Sequence, residues 1–206
     1  MPTQEEKALD EKLVKELKAG NMEAFDQIVE NYHRKIFALA FNLTRNQMDA
    51  QDITQDVLLS IFKKIDTFQG KSAFSSWVYR ITLNASYMKL RSKKKDQFVS
   101  LDDMLPSFNN SGFQQEKLLD WSNSTDSLLF SNETRGIIEK AVGQLPEKEK
   151  VVFLLRDVEG LSTERVGEIL DLTIPAVKSR LHRARLFLRK KLGHYFEEYT
   201  ARGQNK

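Results

Sequence analysis

The stretch Leu161–Lys191, LSTERVGEILDLTIPAVKSRLHRARLFLRKK, decides how the chain is read, because its pattern is two short helices joined by a tight turn. Ser162 and Thr163 are short polar residues of the kind that cap a helix, and the apolar pattern after them ends near Leu170. Asp171 stands at the turn, where a short polar side chain tolerates left-handed backbone. Thr173 caps the next helix and Pro175 fits its first turn.

In that second helix Val177, Leu181, Ala184, Leu188 and Leu192 recur at three- and four-residue steps, so one stripe is apolar and packs on the first helix. The opposite stripe carries Pro175, Lys178, Ser179, His182 and Arg183: two cations, a hydroxyl and an imidazole on one exposed face. Such a face enters a major groove. Between Lys178 and Lys191 there are seven Lys or Arg and no acid, a cationic rod in which Arg180, Arg185 and Lys190 are placed to hold phosphates. A charge run on a helix is ordinarily a solvated face. Here turn, caps and one-sided charge coincide, which favours nucleic acid.

Working outward, 206 residues suffice for one large or two small domains, and only 9 Gly and 4 Pro among abundant Leu, Lys, Glu and Arg point to an all-α chain. The net charge of +3 is unremarkable, but its distribution is not: Arg80–Lys95 holds six more cations before the acid at Asp96, so two blocks carry thirteen of the 32 Lys and Arg. Two electropositive surfaces imply an extended polyanion. The absence of cysteine excludes disulfides and thiolate metal sites, and His33, His182 and His194 are too scattered for a zinc site, so neither metal nor cofactor is expected. The N-terminal residues lack the apolar core of a signal peptide and no run of apolar residues is long enough to span a bilayer. The expectation is a cytoplasmic protein with no membrane insertion of its own.

In chain order, residues 4–19 predict a helix stopped at Gly20, and Asn21 caps a second helix to about Leu43 with a stripe of Phe25, Ile28, Tyr32, Leu39 and Leu43. A third helix from near Met48 buries Ile53, Val57, Ile61 and Ile65, while Asp49, Asp52 and Asp56 line another face. That face is either a complement to the helix dipole or a docking surface for a basic partner. After a loop over residues 66–73, a helix from Phe74 to about Arg91 is expected to bury Phe74, Trp77, Val78, Ile81, Ala85 and Met88. Its other face, Arg80, Asn84, Tyr87 and Arg91, mixes cations, an amide and an aromatic ring as a separated DNA strand requires. Phe68, at the loop, is open between core and ligand. From Ser92 to Phe130 the pattern collapses into polar residues and reads as a linker whose residues 97–130 contain five acids against one Lys, either a solvated tether or an occupant of a basic groove. Helices over Asn132–Val142 and Glu147–Asp157, broken at Leu145 and Pro146, then lead into the helix-turn-helix.

Several motifs in this order, LKAGNMEAFDQIVENY, DAQDITQDVLLSIF, FQGKSAFSSWVYRITLN with its basic tail KLRSKKK, and the run beginning LPEKEKVVFLLRDVEG, resemble the bacterial sigma factors of the extracytoplasmic-function (ECF) group of the sigma-70 family. The resemblance implies two small helical domains, sigma-2 over residues 1–95 and sigma-4 over 131–206, joined by a flexible acidic linker over 96–130. The first would bind core RNA polymerase and open the minus-ten element; the second would read the minus-thirty-five element as duplex. It implies that Asp49, Asp52, Gln55 and Asp56 meet the β′ clamp helices, that sigma-4 meets the β flap, and that an anti-sigma factor controls the protein. Phe68, Gln69, Gly70, Lys71 and Ser72 match the segment that captures a flipped base, and Arg80, Asn84, Tyr87 and Arg91 the minus-ten helix, with Lys93 and Lys94 in its phosphate-holding tail. Pro175, Lys178, Ser179, His182 and Arg183 match the minus-thirty-five positions. Asp171 departs from the glycine common at this turn, and Thr54 and Leu59 stand where the family often has other residues. In the family the linker passes near the RNA path, which fits its acidity.

The function expected from sequence is therefore an alternative sigma factor and not an enzyme. A free-standing helix-turn-helix regulator is the alternative, and an enzyme acting on nucleic acid is a distant third, since no catalytic constellation accompanies the isolated histidines.

Overall fold

A computed structural model of the chain describes residues 4–96 and 132–203, with side chains from 7 to 93 and from 136 to 193; of the linker expected over 96–130, Asp96 ends a helix and the rest lies outside the described residues. All regular structure among those residues is helical. Helix α1 (Gln4–Lys18) precedes α2 (Met22–Thr44), which starts where the Asn21 side chain accepts the Glu23 N–H at 3.0 Å. Asn46 opens α3 (Gln47–Lys64) in the same way, accepting the Asp49 N–H at 3.0 Å. Ile53, Val57, Ile61 and Ile65 are buried as their spacing predicts, against Ile28, Tyr32 and Ile36 of α2 and Leu13 and Leu17 of α1. Tyr32 donates to Asp10 at 2.6 Å, so the one polar atom this ring brings inside is satisfied.

Helix α4 (Phe74–Asp96) runs a turn past the expected end. Its buried stripe is also rotated: Phe74 and Val78 are buried as predicted, but Tyr79, Thr82, Leu83 and Ser86 complete the stripe, Trp77, Ile81 and Ala85 are half-buried, and Met88 is 72% exposed. The reason is that α4 is covered from two sides, by α2 and α3 and by the second half of the chain. Thr82 and Ser86 survive burial because each donates to a carbonyl four residues back, at 2.9 and 2.8 Å.

The second half comprises α5 (Asn132–Gly143), α6 (Glu147–Phe153), a π-helical turn (Leu154–Val158), α7 (Thr163–Leu170) and α8 (Ile174–Gly203). The π-turn replaces the end of the helix expected to reach Asp157. Consecutive Leu154 and Leu155 are both fully buried there. The helix-turn-helix forms as read: Ser162 accepts the Arg165 N–H at 3.3 Å, Asp171 takes left-handed backbone at φ 53°, and Thr173 accepts the Ala176 N–H at 3.4 Å. Val177, Leu181, Ala184 and Leu188 are buried, with Leu192 half-buried beside them.

The two halves share one apolar cluster. Leu39 and Leu43 of α2 and Tyr79 and Leu83 of α4 pack in the same core as Val152, Leu155, Val166 and Leu181. Polar straps cross with it: the Tyr79 hydroxyl donates to Glu159 at 2.7 Å, Arg165 donates to Ser75, Arg80 to the Glu168 carbonyl, and Arg45 to the Glu139 carbonyl at 3.0 Å.

One glycine is demanded by this packing. A Cβ on Gly167 would stand 2.8 Å from the Leu172 carbonyl oxygen, so α7 can approach the turn only without a side chain there. Gly167→Ala should therefore lower the urea-unfolding midpoint, with a cost of about 1–3 kcal/mol from overpacking against rigid backbone.

Candidate nucleic-acid interface

The reading face of the helix-turn-helix is built by the packing of its opposite stripe. With Val177, Leu181 and Ala184 buried, Pro175, Lys178 and Arg183 are exposed, and Ser179 and His182 are half-buried beside them. Arg183 is held rather than free: its Nε donates to Glu149 at 3.1 Å and its Nη1 to the Ser179 hydroxyl at 3.0 Å. Arg185 forms a bidentate pair with Asp157 of the π-turn, 2.8 Å from Nε to Oδ2 and 2.7 Å from Nη2 to Oδ1. Arg180 is half-buried, and its charge acts on Tyr87 of α4. Of the three cations read as phosphate holders in this rod, Arg185 is thus committed to an internal pair and Lys190 is exposed.

On α4, Arg80, Asn84 and Arg91 are exposed, although Arg80 also donates to the Glu168 carbonyl of α7. Tyr87 is half-buried against the shared core, where burial first and then the charge of Glu147 push its phenol up to about 12. Met88, expected inside, lies one turn past Asn84 on this exposed face. In the preceding loop, Phe68 is half-buried with its ring 5.6 Å from Phe74 and 5.3 Å from Trp77, so it belongs to the aromatic core beneath the loop. Gln69, Gly70 and Lys71 are exposed above it, Ser72 is half-buried, and Gly70 sits at φ 70°, a conformation that favours glycine.

The acidic helix divides into two parts. Asp49 is buried and receives Lys93 at 2.6 Å, with Lys89 at 4.0 Å. Asp52, 60% exposed, receives Lys89 at 2.9 Å. The hydrogen bond to Asp52, with the charges of Asp52, Asp49 and Asp56, raises the Lys89 ammonium above its ordinary value. Lys89 and Lys93 therefore face α3, on the side of α4 opposite Arg80 and Asn84, and Lys93 is not directed at the strand-facing side. Lys94 lies outside the described side chains. The exposed face of α3 is Asp52, Gln55, Asp56, Leu59 and Phe62, the last two 52% and 41% exposed. Sequence reading missed Leu59 and Phe62 as members of this face, although their spacing from Asp52 and Asp56 carries the signal.

Two family models match the chain, Sigma-70 region 2 over residues 28–96 and Sigma-70, region 4 over residues 135–188. The ECF RNA polymerase sigma factor SigW of Bacillus subtilis is 33% identical over 181 residues, spanning 88% of this chain and 95% of that protein. The chain belongs to the ECF sigma factors. These are transcription initiation factors; the region 2 match runs from within α2 to the end of α4, and the region 4 match from within α5 into α8. The same fold appears in CnrH bound to the cytosolic domain of CnrY, with a TM-score of 0.63 and 20% identity over 90% of this chain and 98% of that one. It appears again in the sigma factor RpoE of Bartonella quintana bound to the anti-sigma factor NepR, with a TM-score of 0.60 and 24% identity over 82% and 96%. No helix among the described residues of this ECF sigma factor is long and apolar enough to cross a membrane.

The split within the acidic helix is measurable. Asp49→Ala should destabilise the protein by about 1–3 kcal/mol, because it removes a buried acceptor of charged hydrogen bonds. Asp52→Ala should leave the urea midpoint where it was.

Proposed function

We propose that this chain is an alternative sigma factor working as a dissociable promoter-specificity subunit of RNA polymerase. The mixed acidic and apolar face of α3 docks on the β′ clamp helices of core polymerase, region 4 engages the β flap, and α8 reads the minus-thirty-five element. The 69–72 loop and the Arg80, Asn84 and Arg91 face of α4 hold the separated minus-ten strand. Residues 1–95, 96–130 and 131–206 act as the sigma-2 domain, linker and sigma-4 domain. The protein supplies binding energy and no chemistry of its own, in the cytoplasm, under the control of an anti-sigma factor.

The observation that carries this reading is the presence, in one chain related to SigW over 88% of its length, of two separate exposed helix faces bearing cations and a third, exposed acidic and apolar helix face. A free-standing duplex binder has use for the first face alone. Run-off transcription with core polymerase tests it: the protein should direct initiation from specific starts, and tight binding to promoter DNA without any initiation would return the regulator reading. Asp52→Lys with Asp56→Lys should abolish assembly with core while leaving the fold intact, since like charges at an interface cost several kcal/mol and exposed substitutions within a fold cost little. A pull-down with core and a circular dichroism melt measure the two parts.

The contact between the halves occupies Arg80 and Tyr87 and therefore competes with strand binding. Arg45 and Arg165, which cross it, each keep one buried nitrogen without a partner, so the contact is imperfectly satisfied and costs less to open than a fully paired one. Arg165→Ala should loosen it: hydrogen exchange in α4 and α7 of the free protein should rise several-fold, while run-off transcription by the holoenzyme stays near the parent level.

A further inference from the structure

The recognition helix carries an arginine whose orientation is set from outside the helix. Glu149 belongs to α6, yet its carboxylate reaches the Nε of Arg183 at 3.1 Å. The acid side chain is only 15% exposed and the arginine 43%, so a largely buried, packed group holds a more exposed one through its Nε. A second bond, from Nη1 to the Ser179 hydroxyl at 3.0 Å, fixes the guanidinium plane along the helix surface. An arginine left to itself has about 2 kcal/mol of rotamer entropy to lose on binding. Here two bonds made before DNA arrives have already restricted it.

The pattern of used and unused donors follows. Guanidinium has five N–H groups in a rigid fork. Nε–H is taken by Glu149 and one Nη1–H by Ser179, which leaves the end of the fork, one Nη1–H and both Nη2–H, for a ligand. A guanine edge presents two adjacent acceptors, O6 and N7, to which such an end fits bidentately. A phosphate is a poorer ligand for the same arginine, because the carboxylate already neutralises its charge. Ser179, accepting from Arg183, keeps its own hydrogen to donate outward.

We propose that Glu149 is a positioning residue for minus-thirty-five recognition: acting through Arg183, it commits that side chain to a base edge instead of a phosphate and thereby sets specificity at one or two promoter positions. This rests on the reading of α8 as the minus-thirty-five helix. It assigns a specificity role to a residue outside the helix-turn-helix, in the first turn of a different helix. There an acid would otherwise be taken as a complement to the helix dipole.

The experiment uses holoenzyme assembled from the full chain and core polymerase. Its probes are a promoter duplex located by mapping transcript starts and a set of single-base variants of its minus-thirty-five element, bound at several salt concentrations. Arg183→Ala should weaken the parent duplex roughly 5- to 150-fold and flatten discrimination at one or two positions. Glu149→Ala should flatten discrimination at those same positions with no change in salt slope, and the double substitution should be no worse than Arg183→Ala alone. Glu149→Gln, whose amide oxygen still accepts from Nε, should restore most of the discrimination and carries the test if Glu149→Ala fails to fold. If Glu149→Ala instead tightens binding to every variant and steepens the salt slope by about one, Glu149 merely masks a phosphate-binding arginine and the proposal is wrong. If Arg183→Ala changes the ranking and neither Glu149 substitution does, positioning is overturned while α8 remains the reading helix. Should Arg183→Ala itself leave the ranking untouched, the placement of α8 in the groove falls, and the role of Glu149 with it.

Discussion

Everything in this molecule depends on α4 being packed from two sides. Phe74 and Val78 point into the core built by α1, α2 and α3, while Tyr79 and Leu83 point into the core that also holds Val166 and Leu181 of the helix-turn-helix. A helix with two buried arcs has little surface left for function, and what remains on α4 is a narrow strip: Arg80, Asn84, Met88 and Arg91. The strip proposed to meet a separated strand is thus bordered directly by the contact between the halves. Tyr79, whose hydroxyl is bonded to Glu159 and whose ionisation burial opposes, marks the border.

Formal charge overstates what a ligand would meet. Lys89 and Lys93 are turned to Asp52 and Asp49, Arg185 to Asp157 and Arg183 to Glu149. Each pair joins two elements, so the cations of both basic blocks double as ties between helices. Lys178 and Lys190 on α8 and Arg91 on α4 are exposed cations outside these pairs, well placed to meet phosphate without breaking the fold. The division gives one helix two kinds of cation, solvated ones that respond to salt and fixed ones that respond to shape.

The contact between the halves is apolar at its centre and imperfect at its polar edge. Burial of Tyr79, Leu83, Leu39 and Leu43 favours the closed arrangement, whereas the unpaired nitrogens of Arg45 and Arg165 weigh against it. On the proposed function, such a balance lets the α4 strip be covered in the free protein and released to a larger partner.

Sequence alone determined the local features, because they depend on near neighbours in the chain: the caps at Asn21 and Ser162, the left-handed turn at Asp171, the buried stripes of α3 and α8, and the exposed face from Pro175 to Arg183. It determined the family as well, since the motifs in their order are local patterns too. Tertiary structure decided what depends on partners far away in sequence. Met88 is exposed although periodicity places it inside, and Tyr79 is buried outside the predicted stripe, because a second body packs on α4, and periodicity on one helix cannot report how many bodies cover it. Asp49 became an internal acceptor and Asp52 an exposed acid, although both stand in the first turns of the same helix, because Lys93 reaches the one and solvent the other. Arg183 was legible as a cation on the reading face. That its plane is held by Glu149, 34 positions earlier, could come only from the fold, since a pair potential between distant residues leaves no spacing to read.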